Sequence, residues 1–510
     1  MRRPATPRIT VTTVTPRVAV PGAVLLALIL VSVIAWTTRP GTAVVTVPAG
    51  QHTAVTSITR SCPPAAPGGT APHVSMIALP AAQSGTASSG SSGTAAAKTP
   101  AGTATFSGIL AAPATAATTK AAGTKPVAVT AAGMVTSVTV PGGGGAAVAA
   151  NGKMAEGFEA EQTDASGTGV VTCTHPGSDM WFVGTGQSDG ASQVWLYLMN
   201  TGNLTASADV TILTDTGQQN GLNSAITVAP GQYVKENVTP YVQGSQAIAL
   251  RVQANTGQVA ASVWEGGSGG GAWLPPANAP TKSLVIPGLT VASSAARLFV
   301  VTPGSSDAKL KVVAYTPAGA AQQFPGTPVD ASAGAVTPLA LNSLGASAAG
   351  LKLTSSAPIV AGVLVPGAGI GSFTTAVPPV TEQGVVAANP AAKGVTVGLL
   401  LTAPSAAARA TISVISADGT VTTPAGDQNV AVTAGHTLAV TVPRPADGGR
   451  QPFAIVVTPQ PGTGPLYAVR VVTSGTGGLS APLSSLLPVS SAMTSITLPP
   501  TQDNYTAVLP

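Results

Sequence analysis

The sequence predicts a mainly β protein in which tandem two-sheet modules follow an N-terminal membrane helix. Three observations carry that prediction. Residues 200–217 (NTGNLTASADVTILTDTG) align without a gap with 302–319 (TPGSSDAKLKVVAYTPAG) and with 402–419 (TAPSAAARATISVISADG). A unit of roughly 100 residues is therefore repeated. The 510 residues include 59 glycines and 45 prolines, but only 8% are charged and 4% aromatic. That mixture favours short strands and turns over helix interiors, and the low charge argues against disorder. Finally, residues 18–36 (VAVPGAVLLALILVSVIAW) carry no charge and, as a helix, match a bilayer core in length.

Residues 1–17 form a basic tail. Arg2, Arg3, Arg8 and Arg17, with Arg39 just beyond the apolar run, account for the net charge of +5. The remainder of the chain is neutral and offers no Lys/Arg stripe, which excludes nucleic acid as an expected partner. Arginines on the N-terminal side of residues 18–36 predict a cytoplasmic N-terminus. The run is long for a cleaved signal peptide, and no small-residue cleavage site follows Trp36, so it reads as a single-pass anchor. Under either reading the body is exported, outside the cytoplasm.

Residues 37–62 read as a membrane-proximal hairpin, with alternating runs at 43–47 and 53–58 around Pro48-Ala49-Gly50. It ends at Cys62. Cys62 and Cys173 are the only cysteines, neither lies in a C-x-x-C, and an exported chain oxidises such a pair. A disulfide from the membrane-proximal strand to the first repeat is expected, with His175 as a loop residue beside it. Residues 63–125 are low in complexity, poorest at 84–100 (SGTASSGSSGTAAAKTP). They read as a flexible excursion with short strands at 74–79 and 103–109. Residues 126–176 resume the β pattern and lead into the repeats. The run Gly142 to Gly145 lacks the Lys-Ser/Thr of a phosphate-binding loop.

Module 1 spans residues 177–279, with strands expected at 194–199, 208–214, 225–228, 233–237, 247–253 and 259–264. Module 2 spans 281–380, module 3 spans 385–480, and residues 481–510 add strands at 495–498 and 505–509. Each repeat alternates apolar residues (Val210/Ile212, Val312/Ala314, Ile412/Val414). Each run closes on a turn glycine (Gly217, Gly319, Gly419), and a second glycine follows (Gly231, Gly334, Gly435). Short strands separated by turns in a unit of this length predict an immunoglobulin-like β-sandwich. The alternative is a closed, propeller-like β array.

Several features together resemble an actinobacterial family of membrane-anchored extracytoplasmic proteins, a secreted β-repeat domain of unknown function. They are the Arg-rich start, the single anchor, the Ser61-Cys62-Pro63 site and the run VVTCTHPGSDMWFVG at 170–184, in which Cys173, Pro176, Gly177 and Trp181 stand in a Cys-x-x-Pro-Gly-x-x-x-Trp pattern. The resemblance covers most of the chain. It implies a cell-envelope setting and brings no catalytic residues with it.

The sequence holds little catalytic chemistry. Its four histidines (His52, His73, His175, His436) show no metal-ligand spacing, so no metal or other cofactor is expected. No G-x-S-x-G nucleophile motif occurs. Glu156, Glu159, Glu161 and Asp164 cluster, but read as a solvated acidic patch between strands; a carboxylate-dependent glycan hydrolase built on Glu159 and Glu161 is a distant alternative. Aromatics give a better lead. Trp181, Trp264 and Trp273 fall in module 1 and are the candidate ligand contacts, Trp273 being the most exposed because it follows the glycine-rich run 266–271. Trp195, Tyr197 and Met199 share one strand face and Val194, Leu196 and Leu198 the other, the pattern of a strand buried on both sides. The expected function is non-enzymatic: an envelope scaffold or adhesion module, partnered by the membrane and by an envelope protein or cell-wall polysaccharide. A cell-wall glycan-binding protein is the alternative.

Overall fold

Strands that are apolar on both faces, such as Gln193–Met199 (QVWLYLM) and Phe453–Pro459 (FAIVVTP), determine how the chain folds. The computed structural model describes residues 51–498 apart from 70, 80–101, 113–126, 130–131, 165–168, 187–191, 221, 223–224, 268–269, 291–295, 320–321, 324–327, 343–348, 368 and 446–450. The anchor expected at 18–36, the hairpin arm at 43–47 and the strand at 505–509 lie outside the described residues. Among those described, strands are joined by turns and short 3-10 segments, and no helix is long and apolar enough to cross a membrane. Met1–His52 with Thr497–Pro510 make one unit and Thr53–Ile496 another. The β architecture belongs to the second.

All six strands expected in module 1 are present, and they form two sheets. One sheet orders Asp179–Thr185, Ala247–Thr256 and Ala206–Thr214. The other orders Gly270–Leu274, Ala260–Gly267, Gln193–Met199 and Gln232–Asn237. Module 3 repeats this order, with Gly384–Asn389, Phe453–Pro459 and Ala408–Ile415 in one sheet. Leu483–Pro488, Tyr467–Ser474, Val395–Ala403 and His436–Thr441 make the other. Module 2 follows the same pattern with one change: the 17-residue strand Ala349–Val365 serves both sheets. Its first part pairs with Thr281–Leu289 and Ala308–Tyr315, its second with Arg297–Thr302 and Ser372–Thr375. At the same place module 1 has Gly257 (φ 67°) and module 3 has Gly462 (φ 77°), which let the chain turn between sheets. Module 2 has Ser355-Ser356-Ala357-Pro358 there and runs straight on.

The turn glycines account for the visible repeat. Gly217, Gly319 and Gly419 have φ of 109°, 92° and 88°, a region that L side chains avoid. Gly231, Gly334 and Gly435 are also left-handed, and their N–H groups donate to the carbonyls of Asn200 (2.9 Å), Thr302 (2.7 Å) and Ala403 (2.7 Å). In the third copy the partner is Ala403 and not Thr402, because the loop before Ala408–Ile415 is one residue shorter. The gap-free alignment slips by one there and recovers at Ala408, the equivalent of Ala206 and Ala308.

A fourth two-sheet unit precedes the repeats. Ser57–Cys62, Gly145–Asn151, Thr103–Ala111 and Val127–Val129 form one sheet. Val170–Thr172, Phe158–Thr163, His73–Ala78 and Thr136–Thr139 form the other. The stretch read as a flexible excursion therefore contributes two core strands, with Val74, Met76, Ala104 and Phe106 buried. The disulfide forms between Cys62 and Cys173. It lies inside this N-terminal unit, joining its two sheets, where Ser61 and Thr174 exchange backbone hydrogen bonds of 2.7 and 2.9 Å. It does not reach the first repeat, as the sequence had suggested.

The four units close on one another. Leu196 and Leu198 face the module 1 core, while Met199 on the opposite face packs with Ala260 against Ile109 of the N-terminal unit. There Gln232–Asn237 pairs in parallel with Thr103–Ala111. Phe299 and Val301 join the module 1 core, and Leu298 and Val300 that of module 2. Leu400 enters the module 2 core, and Leu399 and Leu401 that of module 3. Finally, Ala454 and Val456 of module 3 pack on Ile77 and Leu79 of the N-terminal unit. Separate sandwiches would leave their outer faces to water, giving strands with one polar side. In the strands that carry these contacts, such as Arg297–Thr302, Val395–Ala403 and Phe453–Pro459, both faces are buried, each fully buried Val, Leu or Phe contributing about 1.5–3 kcal/mol.

Candidate functional site

The final strand of each module and the strand Val170–Thr172 of the N-terminal unit converge on one cleft of about 260 Å³. Trp264, Gly270, Gly271 and Trp273 come from module 1, Gly369, Gly371 and Ser372 from module 2, Ser484 and Ser485 from module 3, and Asp164 and Gly169 from the N-terminal unit. Two of the three candidate tryptophans thus meet at a place to which every unit contributes.

The glycine run 266–271 has a different use from the one expected. Gly266 and Gly267 pair with Gly271 and Gly270 across the strands Ala260–Gly267 and Gly270–Leu274, and Gly266 and Gly271 make a seat for the Trp264 indole. A Cβ on Gly271 would lie 2.2 Å from Trp264 Cζ2, and one on Gly266 2.6 Å from the same atom. Trp264 is 6% exposed and stands opposite Trp273 in the strand register, with Trp195 on its other side. Trp273 is half-buried, its ring 5.5 Å from that of Tyr197 and tilted by 53°. Tyr197 in turn is buried, which pushes its hydroxyl up from the usual tyrosine range. Lys235 Nζ lies 3.9 Å above the Trp195 ring, a cation–π contact at the margin of this aromatic surface. Trp181 is elsewhere. It is 2% exposed in the module 1 core, with the Arg251 guanidinium 5.1 Å from its ring and Arg251 bound in turn to Asp179.

The polar wall of the cleft is tied back into the fold. Ser372 Oγ accepts from Leu486 N–H at 2.8 Å, and Ser484 Oγ lies 2.7 Å from Ser474 Oγ. Ser485 Oγ accepts from Arg470 Nη2 at 2.9 Å. Arg470 is fully buried, and its Nη1 donates to the Ala388 carbonyl at 3.3 Å. Ala388 N–H donates to Glu161 Oε2 at 2.9 Å. Burial pushes the Glu161 carboxyl up to about 7, opposed by Arg470 and by the N–H groups of Ala388 and Ala387. Burial also lowers Arg470 to about 10, opposed by Glu161. Two residues before Glu161, Glu159 accepts from Arg60 Nη2 at 2.6 Å, and burial raises its carboxyl against the pull of Arg60.

Glu159 and Glu161 are therefore not a solvated patch. Both are buried, at 5% and 3% exposure, on the face of Phe158–Thr163 turned away from the N-terminal core. Neither lines the cleft, so this pair gives no support to a hydrolase. Asp164, where that strand ends, does reach it and is exposed. Sequence reasoning missed Arg60 and Arg470. The only signal was a single arginine inside an otherwise apolar strand, Tyr467–Ser474 (YAVRVVTS). His175 is exposed and borders a separate shallow groove with Asn200, Leu204 and Met493.

A protein family described as a family of unknown function (DUF5719) matches residues 146–443. The match starts in the N-terminal unit's strand Gly145–Asn151 and ends just after His436–Thr441 of module 3. No curated protein matches the chain.

Proposed function

The chain belongs to this family of unknown function, and from that premise we propose that it is a non-enzymatic scaffold or adhesion protein of the cell envelope. In this reading residues 18–36 anchor it in the cell membrane, the N-terminus is cytoplasmic and the β units are extracytoplasmic. The units are immunoglobulin-like sandwiches closed into a propeller-like array, combining the two architectures the repeats allowed. The observation that carries the reading is the closed cycle of buried contacts between units. Interfaces of this kind, apolar on both faces of a strand, hold domains in fixed relation, as a scaffold requires. The Cys62–Cys173 disulfide suits an oxidising compartment outside the cytoplasm.

Protease treatment of intact cells tests the topology: the β units should be digested and the first residues spared. Protection of the β units until lysis would reverse it. Cross-linking in intact cells tests the scaffold, which requires a reproducible adduct to one envelope protein or polysaccharide. A chain recovered only uncross-linked would count against it.

A second reading, a cell-wall glycan-binding protein, is favoured by one observation. Trp264 and Trp273 line a cleft together with serine hydroxyls and a carboxylate, and aromatic faces beside hydrogen-bonding groups suit sugar rings.

A further inference from the structure

We propose that the cleft where the four units meet binds a single neutral pyranose ring, as a free monosaccharide or as the terminal residue of a polysaccharide. The proposal rests on the glycan-binding reading and adds the position, size and charge of what is bound.

Size comes first. At about 260 Å³ the cleft lies just below the usual range of sites for drug-sized ligands. That volume suits one ring and not an extended chain. Chemistry comes next. Trp264 and Trp273 supply apolar surface from neighbouring strands, and both are held in place, Trp264 on the Gly266/Gly271 seat and Trp273 against Tyr197. A pyranose presents axial C–H groups to such a surface and hydroxyls at its rim. The rest of the wall matches that rim. Gly169, Gly270, Gly369 and Gly371 bring bare backbone to the cleft, and glycine permits close approach of peptide groups to a ligand. Ser484 and Ser485 add hydroxyls, each already fixed by an internal partner. Asp164 sets the charge preference. Its carboxylate accepts from sugar hydroxyls and repels a uronate or phosphosugar.

The test is a titration of the detergent-solubilised full-length chain with neutral hexoses and pentoses, an amino sugar and a uronic acid. Binding is read by saturation-transfer NMR and tryptophan fluorescence, and the same sugars are then offered as short oligosaccharides. One neutral pyranose should bind, with the uronic acid at least tenfold weaker and oligosaccharides gaining nothing beyond their terminal ring. Trp273→Ala and Asp164→Ala should each weaken binding at least tenfold, and Trp273→Phe should keep most of it. Asp164 is exposed, so its variant tests the site even where Trp273→Ala disturbs packing on Tyr197. Sugar binding unmoved by both alanine variants would overturn the cleft and leave the glycan-binding reading standing. Affinity that climbs with oligosaccharide length would overturn the single-ring site. Failure of every sugar, together with failure to sediment with cell-wall polysaccharide, would overturn both.

Discussion

Glu161 and Arg470 hold the two polar groups of one residue, Ala388, from strands of two different units. The Ala388 N–H donates to Glu161 Oε2 at 2.9 Å, and its carbonyl accepts from Arg470 Nη1 at 3.3 Å. The arrangement follows from an irregularity. The register between Gly384–Asn389 and Phe453–Pro459 shifts between Val386 and Asn389, which takes the backbone of Ala387 and Ala388 out of the ladder. Buried peptide groups need partners, and the two charged side chains supply them. Asn389 Nδ2 completes the repair by donating to the Val386 and Phe453 carbonyls at 3.0 and 2.9 Å. The N-terminal unit and module 3 are joined here by a polar plug within an apolar interface.

Removing one side of the plug should be costly. Arg470→Met leaves the Ala388 carbonyl without its donor and removes the cation whose charge opposes the effect of burial on Glu161. Leaving a buried acceptor unsatisfied typically costs about 1–3 kcal/mol, and more for a charged group. Adding Glu161→Gln should recover part of that loss, because the remaining groups are then neutral. Denaturant unfolding of the two single variants and the double variant measures the coupling. Strictly additive losses would mean that Glu161 and Arg470 do not act together.

The same carboxylate predicts an unusual pH dependence. Burial raises Glu161 from an ordinary 4.5 to about 7 in the folded protein, and Glu159 is raised as well. Across that window the folded chain binds more protons than the unfolded one. The Glu161 contribution to stability therefore falls as pH rises from about 4.5 to about 7, by roughly 3 kcal/mol for a shift of this size. Urea midpoints at pH 5 and pH 8 should show this order, and Glu161→Gln should remove most of the difference. An equal slope in the variant would assign the effect to other groups.

How much of this is legible in sequence depends on the range of the interaction concerned. Gly217, Gly319 and Gly419 are legible because a local turn needs a left-handed residue, and the need recurs with the repeat. The two-faced apolar strand 194–199 is legible as buried on both sides, but its pattern does not say that Ile109 lies on the far face. His73–Ala78 and Thr103–Ala111 pair with Phe158–Thr163 and Gly145–Asn151, and the low-complexity sequence between them conceals a core that only these distant partners complete. The alternation FEAEQT mimics a solvent-facing strand, since nothing local shows that Arg60 and the Ala388 bulge cover its acidic side. The run 266–271 carries the composition of a linker, and its purpose becomes plain only when the Trp264 ring lies across it.

The disulfide should be a major support of the N-terminal unit. Cys62 and Cys173 are 111 residues apart, and closing a loop of that length removes unfolded-state entropy worth about 4–5 kcal/mol. Reduction should lower the melting temperature of the full chain. It should also expose the strands Ser57–Cys62 and Phe158–Thr163 to amide hydrogen exchange before those of module 2. Equal protection in oxidised and reduced protein would show that packing alone holds the two sheets together.

The three turn glycines form a natural series, since they share a conformation and differ in what lies beyond them. A Cβ at Gly217 meets nothing within 4 Å, so Gly217→Ala should cost only the backbone strain of a left-handed alanine, about 1 kcal/mol. A Cβ at Gly319 would lie 2.6 Å from His436 Nε2 of module 3, and one at Gly419 would lie 3.0 Å from Met134 Cγ and 3.2 Å from the Gly133 carbonyl. Both of these turns sit against the next unit in the cycle, so their variants must displace a neighbour as well. Overpacking of that kind adds about 1–3 kcal/mol. His436 is half-buried and Met134 exposed, which gives both some room to move, but the Gly133 carbonyl is backbone and does not yield. Gly419→Ala should therefore be the most destabilising of the three and Gly217→Ala the least. Hydrogen exchange should separate strain from contact: Gly419→Ala loosens 133–139 in the N-terminal unit, whereas Gly217→Ala loosens only its own hairpin. Identical losses in all three variants would mean that the turns are local features and that the cycle of units closes without them.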